Sequence, residues 1–351
     1  MKMAPILRAF EAYPDAETVL IHTGQHYDRN LSDVFFEELG IKSPDISLGI
    51  GSGTHGEQTG KLIIELERVF MQSAPGFDRL VVVGDVNSTM AATLAAVKLN
   101  IPVAHVEAGL RSFDRRMPEE ANRIVTDSLS DLLLVSEPSG MENLRREGQP
   151  EDRLRLIGNV MIDTLLYLVK KAVERPLLRE LKLMPAEYAV VTTHRPSNVD
   201  QPETLKGLLE VLVQVSESLP VVFPIHPRTL ARIKSFDLMP MLEQAEGIRI
   251  LEPLGYLDFL ALTSQSKVIV TDSGGLQEES TALNIPCLTM RENTERPITV
   301  TQGTSTLCGS DPKILDQNLR AVLDGSYKAG QCPELWDGKA AERIATELMS
   351  A

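Results

Sequence analysis

The strongest chemical signal in the chain is Val270-Thr271-Asp272-Ser273-Gly274-Gly275-Leu276-Gln277-Glu278-Glu279. An apolar run ends, two glycines let a ligand approach the backbone, and a helical pattern begins. The first N–H groups of a helix lack partners and its dipole is positive there, so this turn suits a phosphate. Glu279 lies about one and a half turns in, placed to accept hydrogen bonds from ribose hydroxyls. A serine-capped helix after a glycine turn reads the same way with no ligand at all.

Carboxylates cluster in the first half. Asp85 ends an apolar run in Gly84-Asp85-Val86-Asn87-Ser88-Thr89. His105 and Glu107 end the next in His105-Val106-Glu107-Ala108-Gly109-Leu110-Arg111, and Pro118-Glu119-Glu120-Ala121-Asn122-Arg123 opens a helix. Carboxylates held close raise one another's pKa, one way to keep an acid protonated. Taken singly, Asp85 reads as a helix cap and Glu119 as a first-turn acid favoured by the dipole. At successive strand ends the combination is much rarer. A third cluster, Thr193-His194-Arg195-Pro196 with Ile225-His226-Pro227-Arg228, sets two histidines beside arginines at equivalent strand ends. That favours an anion site over structural histidines.

Gly51-Ser52-Gly53-Thr54-His55-Gly56 matches the dinucleotide pattern G-x-G-x-x-G, and a helix is expected over residues 57–70. The fingerprint counts only between a strand and a helix, and residues 44–49 make a poor strand. The expectation is a loop, with no nicotinamide site. No paired histidines or cysteines suggest a metal, so no metal and no cofactor are expected.

These residues need elements to position them. Residues 18–22, 80–83, 101–106 and 132–135 read as strands. Residues 31–39, 89–99 and 119–129 between them read as helices. Apolar runs separated by helices indicate a parallel sheet covered on both faces. The rhythm pauses over residues 167–187, a helix and linker, then restarts with strands at 188–192, 221–225, 248–251, 268–270 and 287–290 and a long helix at 203–219. The expected fold class is α/β, with two Rossmann-like doubly wound domains facing a cleft. Ligands of such sheets sit beyond the carboxyl ends of the strands. The expected boundaries are residues 1–168 and 187–338, with a helix over 339–351 returning to the first domain. A length of 351 residues suits two domains.

A net charge of -14 argues against a nucleic acid partner, which needs a basic face. Arg8 and Glu11 interrupt any leader-like stretch, and no apolar run reaches the roughly 20 residues of a membrane span. Cys287, Cys308 and Cys332 form no framework, so a reducing cytoplasm is expected and no membrane.

In order along the chain, the Gly84–Thr89 and His105–Ser112 segments, the Pro118–Arg123 helix start, Gly158-Asn159-Val160-Met161-Ile162-Asp163, Thr193-His194-Arg195 and the Asp272–Glu279 turn closely resemble the non-hydrolysing UDP-N-acetylglucosamine 2-epimerases. The resemblance covers nearly the whole chain and its ordered motif set is highly specific. It implies the two-domain GT-B-like fold and interconversion of UDP-N-acetylglucosamine and UDP-N-acetylmannosamine for cell-envelope polysaccharides. A UDP-sugar is the implied substrate and a homodimer the implied assembly. By the same resemblance Asp85, Glu107 and Glu119 match acid–base carboxylates, and His194 matches a histidine near the diphosphate. Ser273, Gly274, Gly275 and Glu279 match phosphate and ribose contacts, and Leu254 and Phe259 the uracil pocket. Arg296, Lys2 and Arg111 match further substrate-site residues. Thr23-Gly24-Gln25-His26 lies where some bacterial members bind substrate as an activator. Tyr27-Asp28 departs from the regulated pattern, so regulation is not carried over.

The chemistry fits these groups. The C2 hydrogen of the sugar is not beside a carbonyl and is not acidic. Expelling UDP from C1 while a base removes that proton gives a glycal, and UDP returns after protonation on the other face. The route needs a base, an acid and a clamp for the leaving diphosphate. Which carboxylate is acid and which base stays open. One departure stands out: family members begin with a strand and a Gly-Thr-Arg-Pro-Glu loop, absent before Met1-Lys2-Met3-Ala4-Pro5. The expectation is a natural start farther upstream, against a truly short chain of poor stability and little activity. Two other functions compete, a GT-B glycosyltransferase with an acceptor groove and a catalytically impaired nucleotide-sugar-binding protein.

Overall fold

The computed structural model describes residues 1–24 and 40–350. The helix expected over 31–39, and Gln25 to Asp28 of the activator match, lie outside them. The chain divides into two compact units, Met1–Thr164 with Glu334–Ala351, and Leu165–Pro333. Among the described residues no helix is long and apolar enough to cross a membrane.

The second unit holds one six-stranded sheet, all parallel in its pairings. Its strands are β7 (Ala189–Thr192), β8 (Val221–Pro224), β9 (Ile248–Leu251), β10 (Val268–Thr271), β11 (Cys287–Thr289) and β12 (Ser305–Leu307). Here β1 to β6 denote the strands of the first unit. The spatial order β12-β11-β10-β7-β8-β9 is that of a Rossmann domain, and it reverses between β7 and β10. Alternate residues of β7 explain the two covered faces. Ala189 and Val191 join a cluster with Leu205, Leu208 and Leu212 of the Pro202–Ser216 helix. Val190 turns the other way, towards Leu178, Leu183 and Leu262. Burying a Val or Leu side chain contributes about 1.5–3 kcal/mol, so strands apolar on both faces anchor the unit.

The first unit has its sheet in two pieces. Two-residue strands β1 (Ile21–His22) and β2 (Ile46–Ser47) pair in parallel. Separately, β3 (Leu80–Val83), β4 (Val103–Ala108), β5 (Leu132–Val135) and β6 (Leu154–Leu156) form a parallel sheet in that order. Strand β3 therefore stands at an edge and is only partly buried, whereas all six residues of β4 are buried. One face carries Ala104, Val106, Leu132 and Leu134 against Ile6, Ala340, Ala341 and Ile344. The Ala340–Ser350 helix thus lies in the first unit beside the Met3–Phe10 helix. Asp163 ties down its start, accepting from the Ala340 and Ala341 amides at 3.2 and 2.7 Å.

Most expected elements form within a few residues of their expected bounds. Strands β6 and β12, three residues each, were not anticipated. Residues 44–49 do supply a strand, β2, so the G-x-G-x-x-G loop sits between a strand and the His55–Gln72 helix. That helix start is closed by its own side chains. Thr54 accepts from the Glu57 amide and Glu57 from the Thr54 amide, which removes donors that a phosphate would use.

Candidate functional site

In the first unit the pairing of Val83 with Val106 sets the ends of β3 and β4 side by side. The Gly84 amide still donates to Val106 O at 3.1 Å, and Asp85 follows at once. Strand β4 then bulges between Val106 and Ala108, and Glu107 takes a left-handed φ of 73°. Such a conformation is uncommon for a residue with a side chain and concentrates at functional sites. A Cβ at Gly84 would lie 3.3 Å from both Glu107 Oε2 and Lys2 Nζ, and Gly84 itself has φ +75°. The positive φ favours glycine here, and a side chain would also press on the tips of Glu107 and Lys2. Lys2 pairs with the Glu107 carboxylate.

Asp85 pairs with Arg123, and Arg123 Nη2 also reaches Glu120 Oε2 at 2.7 Å. Glu120 accepts from Ser112 N, Ser112 Oγ and Phe113 N at 3.0, 3.0 and 2.9 Å. Burial works to raise the Glu120 pKa, but the Ser112 amide and Arg123 outweigh it and hold the carboxyl below its ordinary range. Glu119 lies in the first turn of the same Pro118–Leu129 helix, partly exposed, four residues before Arg123. Asn122 donates to Asp85 O at 2.8 Å and to Asn87 Oδ1 at 3.2 Å. Asn87 in turn reaches Gln58 Oε1 at 2.8 Å.

Arg111 does not fit its expected place as a substrate contact. Its guanidinium is committed to Asp127 at 2.7 Å and, through two nitrogens, to Glu147 at 2.8 and 2.6 Å, and the residue is 3% exposed. A cation spent on two carboxylates in the interior braces the loop after β4. Asp127 also meets His105 Nδ1 at 2.6 Å and the Gly109 amide at 3.0 Å. Burial alone would raise the Asp127 pKa; His105 and Arg111 hold it below the usual carboxylate range.

In the second unit Thr192 pairs with Thr271, so the segments after β7 and β10 meet at the point where the strand order reverses. Asp272, fully buried, joins them. Its Oδ2 accepts from the amides of His194 and Arg195 at 2.9 and 2.8 Å and from Asn198 Nδ2 at 3.0 Å. Its Oδ1 faces His194 Nδ1 at 2.9 Å. Burial pushes the Asp272 pKa up, but His194, the Arg195 amide and Asn198 keep it depressed. The His226 ring lies 5.4 Å from that of His194, centroid to centroid.

Ser273, Gly274 and Gly275 are partly exposed at the start of the Gly274–Ala282 helix. A Cβ at Gly274 would sit 3.0 Å from Glu295 Oε1 and 3.5 Å from Arg291 Nη1, so glycine brings the backbone against buried charges. Arg296 pairs with Glu278 at 2.7 Å and Glu295 at 2.9 Å, and Arg291 with Glu295 at 2.7 Å. The two arginines hold the Glu295 carboxyl down to about 2 against its burial. Arg291 Nε and Nη1 are buried donors with no hydrogen-bond partner among the described residues, the kind that suits an anion. Glu279 is buried and accepts from the Tyr256 hydroxyl at 3.0 Å. Burial pushes its pKa up to about 7 against that bond, with Glu278 adding to the rise. Leu254 and Phe259 share one apolar cluster on the Val190 face of the sheet.

Sequence reading missed the roles of Glu120, Arg123, Asp127, Tyr256 and Arg291. The one local signal was the Glu120–Arg123 spacing of three on a helix.

The family model described as UDP-N-acetylglucosamine 2-epimerase matches residues 8–349. The UDP-N-acetylglucosamine 2-epimerase of Methanocaldococcus jannaschii is 43% identical, over 99% of this chain and 95% of its own. The UDP-2,3-diacetamido-2,3-dideoxy-D-glucuronate 2-epimerase of Pseudomonas aeruginosa is 37% identical, over 99% of this chain and 96% of its own. Among solved structures, the M. jannaschii UDP-GlcNAc 2-epimerase in complex with UDP-GlcNAc and UDP superimposes with a TM-score of 0.87. It covers 100% of this chain and 96% of that one at 42% identity.

Proposed function

The chain belongs to the UDP-N-acetylglucosamine 2-epimerase family, and on that premise we propose that it interconverts UDP-N-acetylglucosamine and UDP-N-acetylmannosamine. The chemistry is elimination and re-addition. A base takes the C2 proton as the C1–O bond breaks, and UDP leaves with the bonding electrons. The glycal is then protonated at C2 on the other face, and the UDP oxygen returns to C1. Asp85, Glu107 and Glu119 supply the base and the acid. Ser273, Gly274, Gly275, His194 and the unpartnered Arg291 donors hold the diphosphate, and Arg296, paired with Glu278 and Glu295, steadies that helix start. Glu279 meets the ribose, and Leu254 and Phe259 the base. Arg111 and Asp127 brace the carboxylate loop without touching substrate.

The observation that carries this reading is the placement of Asp85 and Glu107 at adjacent strand ends, each with a cation, in a chain the family model matches almost throughout. Proton NMR of UDP-N-acetylglucosamine in deuterated water tests it. Deuterium at C2 with appearance of the manno epimer is expected, and an unchanged substrate would refute it. A second reading, action on a diacetamido uronic acid UDP-sugar, is supported by the P. aeruginosa relative. The same experiment on that sugar separates the two. A homodimer, a cytoplasmic setting and service to cell-envelope polysaccharides belong to the same proposal, and light scattering checks the first.

A further inference from the structure

Two rings stand side by side where the strand order of the second unit reverses, and each turns its Nδ1 to a fixed partner. Asp272 Oδ2 is saturated by three donors, the His194 and Arg195 amides and Asn198 Nδ2. Oδ1 is buried and accepts no hydrogen bond of good geometry among the described residues, and the polar atom beside it is His194 Nδ1, at 2.9 Å. Two lone pairs at that distance would repel and leave a buried carboxylate oxygen unpaired. A proton on Nδ1 removes the conflict. His226 is set the other way. Its Nδ1 accepts from the Arg228 amide at 3.1 Å, capping the Pro227–Ser235 helix, so its proton sits on Nε2.

We propose that Asp272 is the positioning residue that holds His194 as the Nδ1–H tautomer, so that the pair offers a lone pair at His194 Nε2 beside an N–H at His226 Nε2. Asp272 touches no substrate; it acts through the ring. Sequence order hides the arrangement, because Asp272 and His194 are 78 residues apart. The His194 side chain is 43% exposed, so the ring is within reach of a ligand while its Nδ1 lies against Asp272. In the epimerase reading, on which this clause rests, Nε2 is turned to the nucleotide diphosphate and takes a proton from solvent as the anion binds, which makes it a donor. An imidazolium formed there has both N–H groups partnered, one by Asp272 and one by phosphate.

Long-range proton–nitrogen NMR on histidine-labelled protein reads tautomers directly, and with six histidines His194→Gln assigns the ring by loss of its signals. The wild type should show His194 protonated at Nδ1 and His226 at Nε2. In Asp272→Asn the amide oxygen takes over the three donors at Oδ2 and the amide nitrogen faces Nδ1, which moves the His194 proton to Nε2. Turnover should then fall about a hundredfold in kcat, with KM shifted less than tenfold. Asn198→Ala, which loosens the same loop but spares Oδ1, should leave the tautomer unchanged. A wild-type His194 protonated at Nε2 overturns the proposal, and so does a proton that stays on Nδ1 in Asp272→Asn. The wild-type spectrum decides the tautomer even where a variant folds poorly. The assigned tautomer in an enzyme that epimerises nothing counts against the function, whereas turnover with the opposite tautomer counts against this inference alone.

Discussion

In the first unit each of two strand-end carboxylates meets a cation of its own, Asp85 with Arg123 and Glu107 with Lys2. In the second unit the strand ends present ring nitrogens and helix amides. The carboxylates there are buried behind them, Asp272 under His194 and Glu279 against Tyr256. The backbones differ in the same sense. Glu107 is held in a left-handed bulge, and the second unit's Asp272–Gly275 turn is free of positive φ and opened by glycine. The contrast teaches how the work is divided. Charged oxygens on a strained backbone suit proton transfer at carbon, and donors on an unstrained helix start suit an anion that comes and goes.

The largest effect that would break this comparison comes from neutralising the first unit's acids. Glu107→Gln or Asp85→Asn should lower C2 deuterium incorporation about 100- to 10,000-fold, read by proton NMR, with UDP affinity within about twofold. Removing the cation that joins Asp85 to Glu120 is next. Arg123→Met leaves Glu120 buried without its guanidinium, and urea unfolding should show a loss of about 3–5 kcal/mol.

A smaller effect sharpens the comparison in the second unit. The folded Glu279 pKa, about 7, lies above the 4.5 of an ordinary glutamate. The folded state therefore binds the extra proton between these values. The stability it contributes is full below the ordinary value and is lost as pH rises through about 7. Wild type should lose up to about 3 kcal/mol more than Glu279→Gln between about pH 5 and about pH 8, measured by urea unfolding. Smallest of all, Ser273→Ala should weaken UDP binding by about two- to tenfold in calorimetry, with C2 exchange at saturating substrate nearly unchanged.

Much of this was legible in the chain. The Val270–Glu279 turn joins an apolar strand, paired glycines and a helix start in ten consecutive residues, so its geometry is local. The alternating strands and helices are local too, and the long two-sided runs such as Leu132–Val135 formed as read. Leu154-Arg155-Leu156 and Ser305-Thr306-Leu307 are short and carry polar residues, which hid β6 and β12. Nothing local marks Glu107 as left-handed, because the bulge comes from its pairing with β5. The family resemblance alone matched Arg111 to a substrate contact. Its partners, Asp127 and Glu147, are brought to it only by the fold. The same distance in sequence concealed Arg123 as the partner of Asp85 and Asp272 as the partner of His194.

The division of labour is tested most directly by titrating UDP into two double variants. Asp85→Asn with Glu107→Gln should bind UDP as the wild type does, although it exchanges no C2 hydrogen. Ser273→Ala with His194→Asn should lose at least about tenfold in affinity. Equal loss of UDP affinity in both pairs would contradict the account, because the first unit's acids would then hold the nucleotide as much as the second unit does.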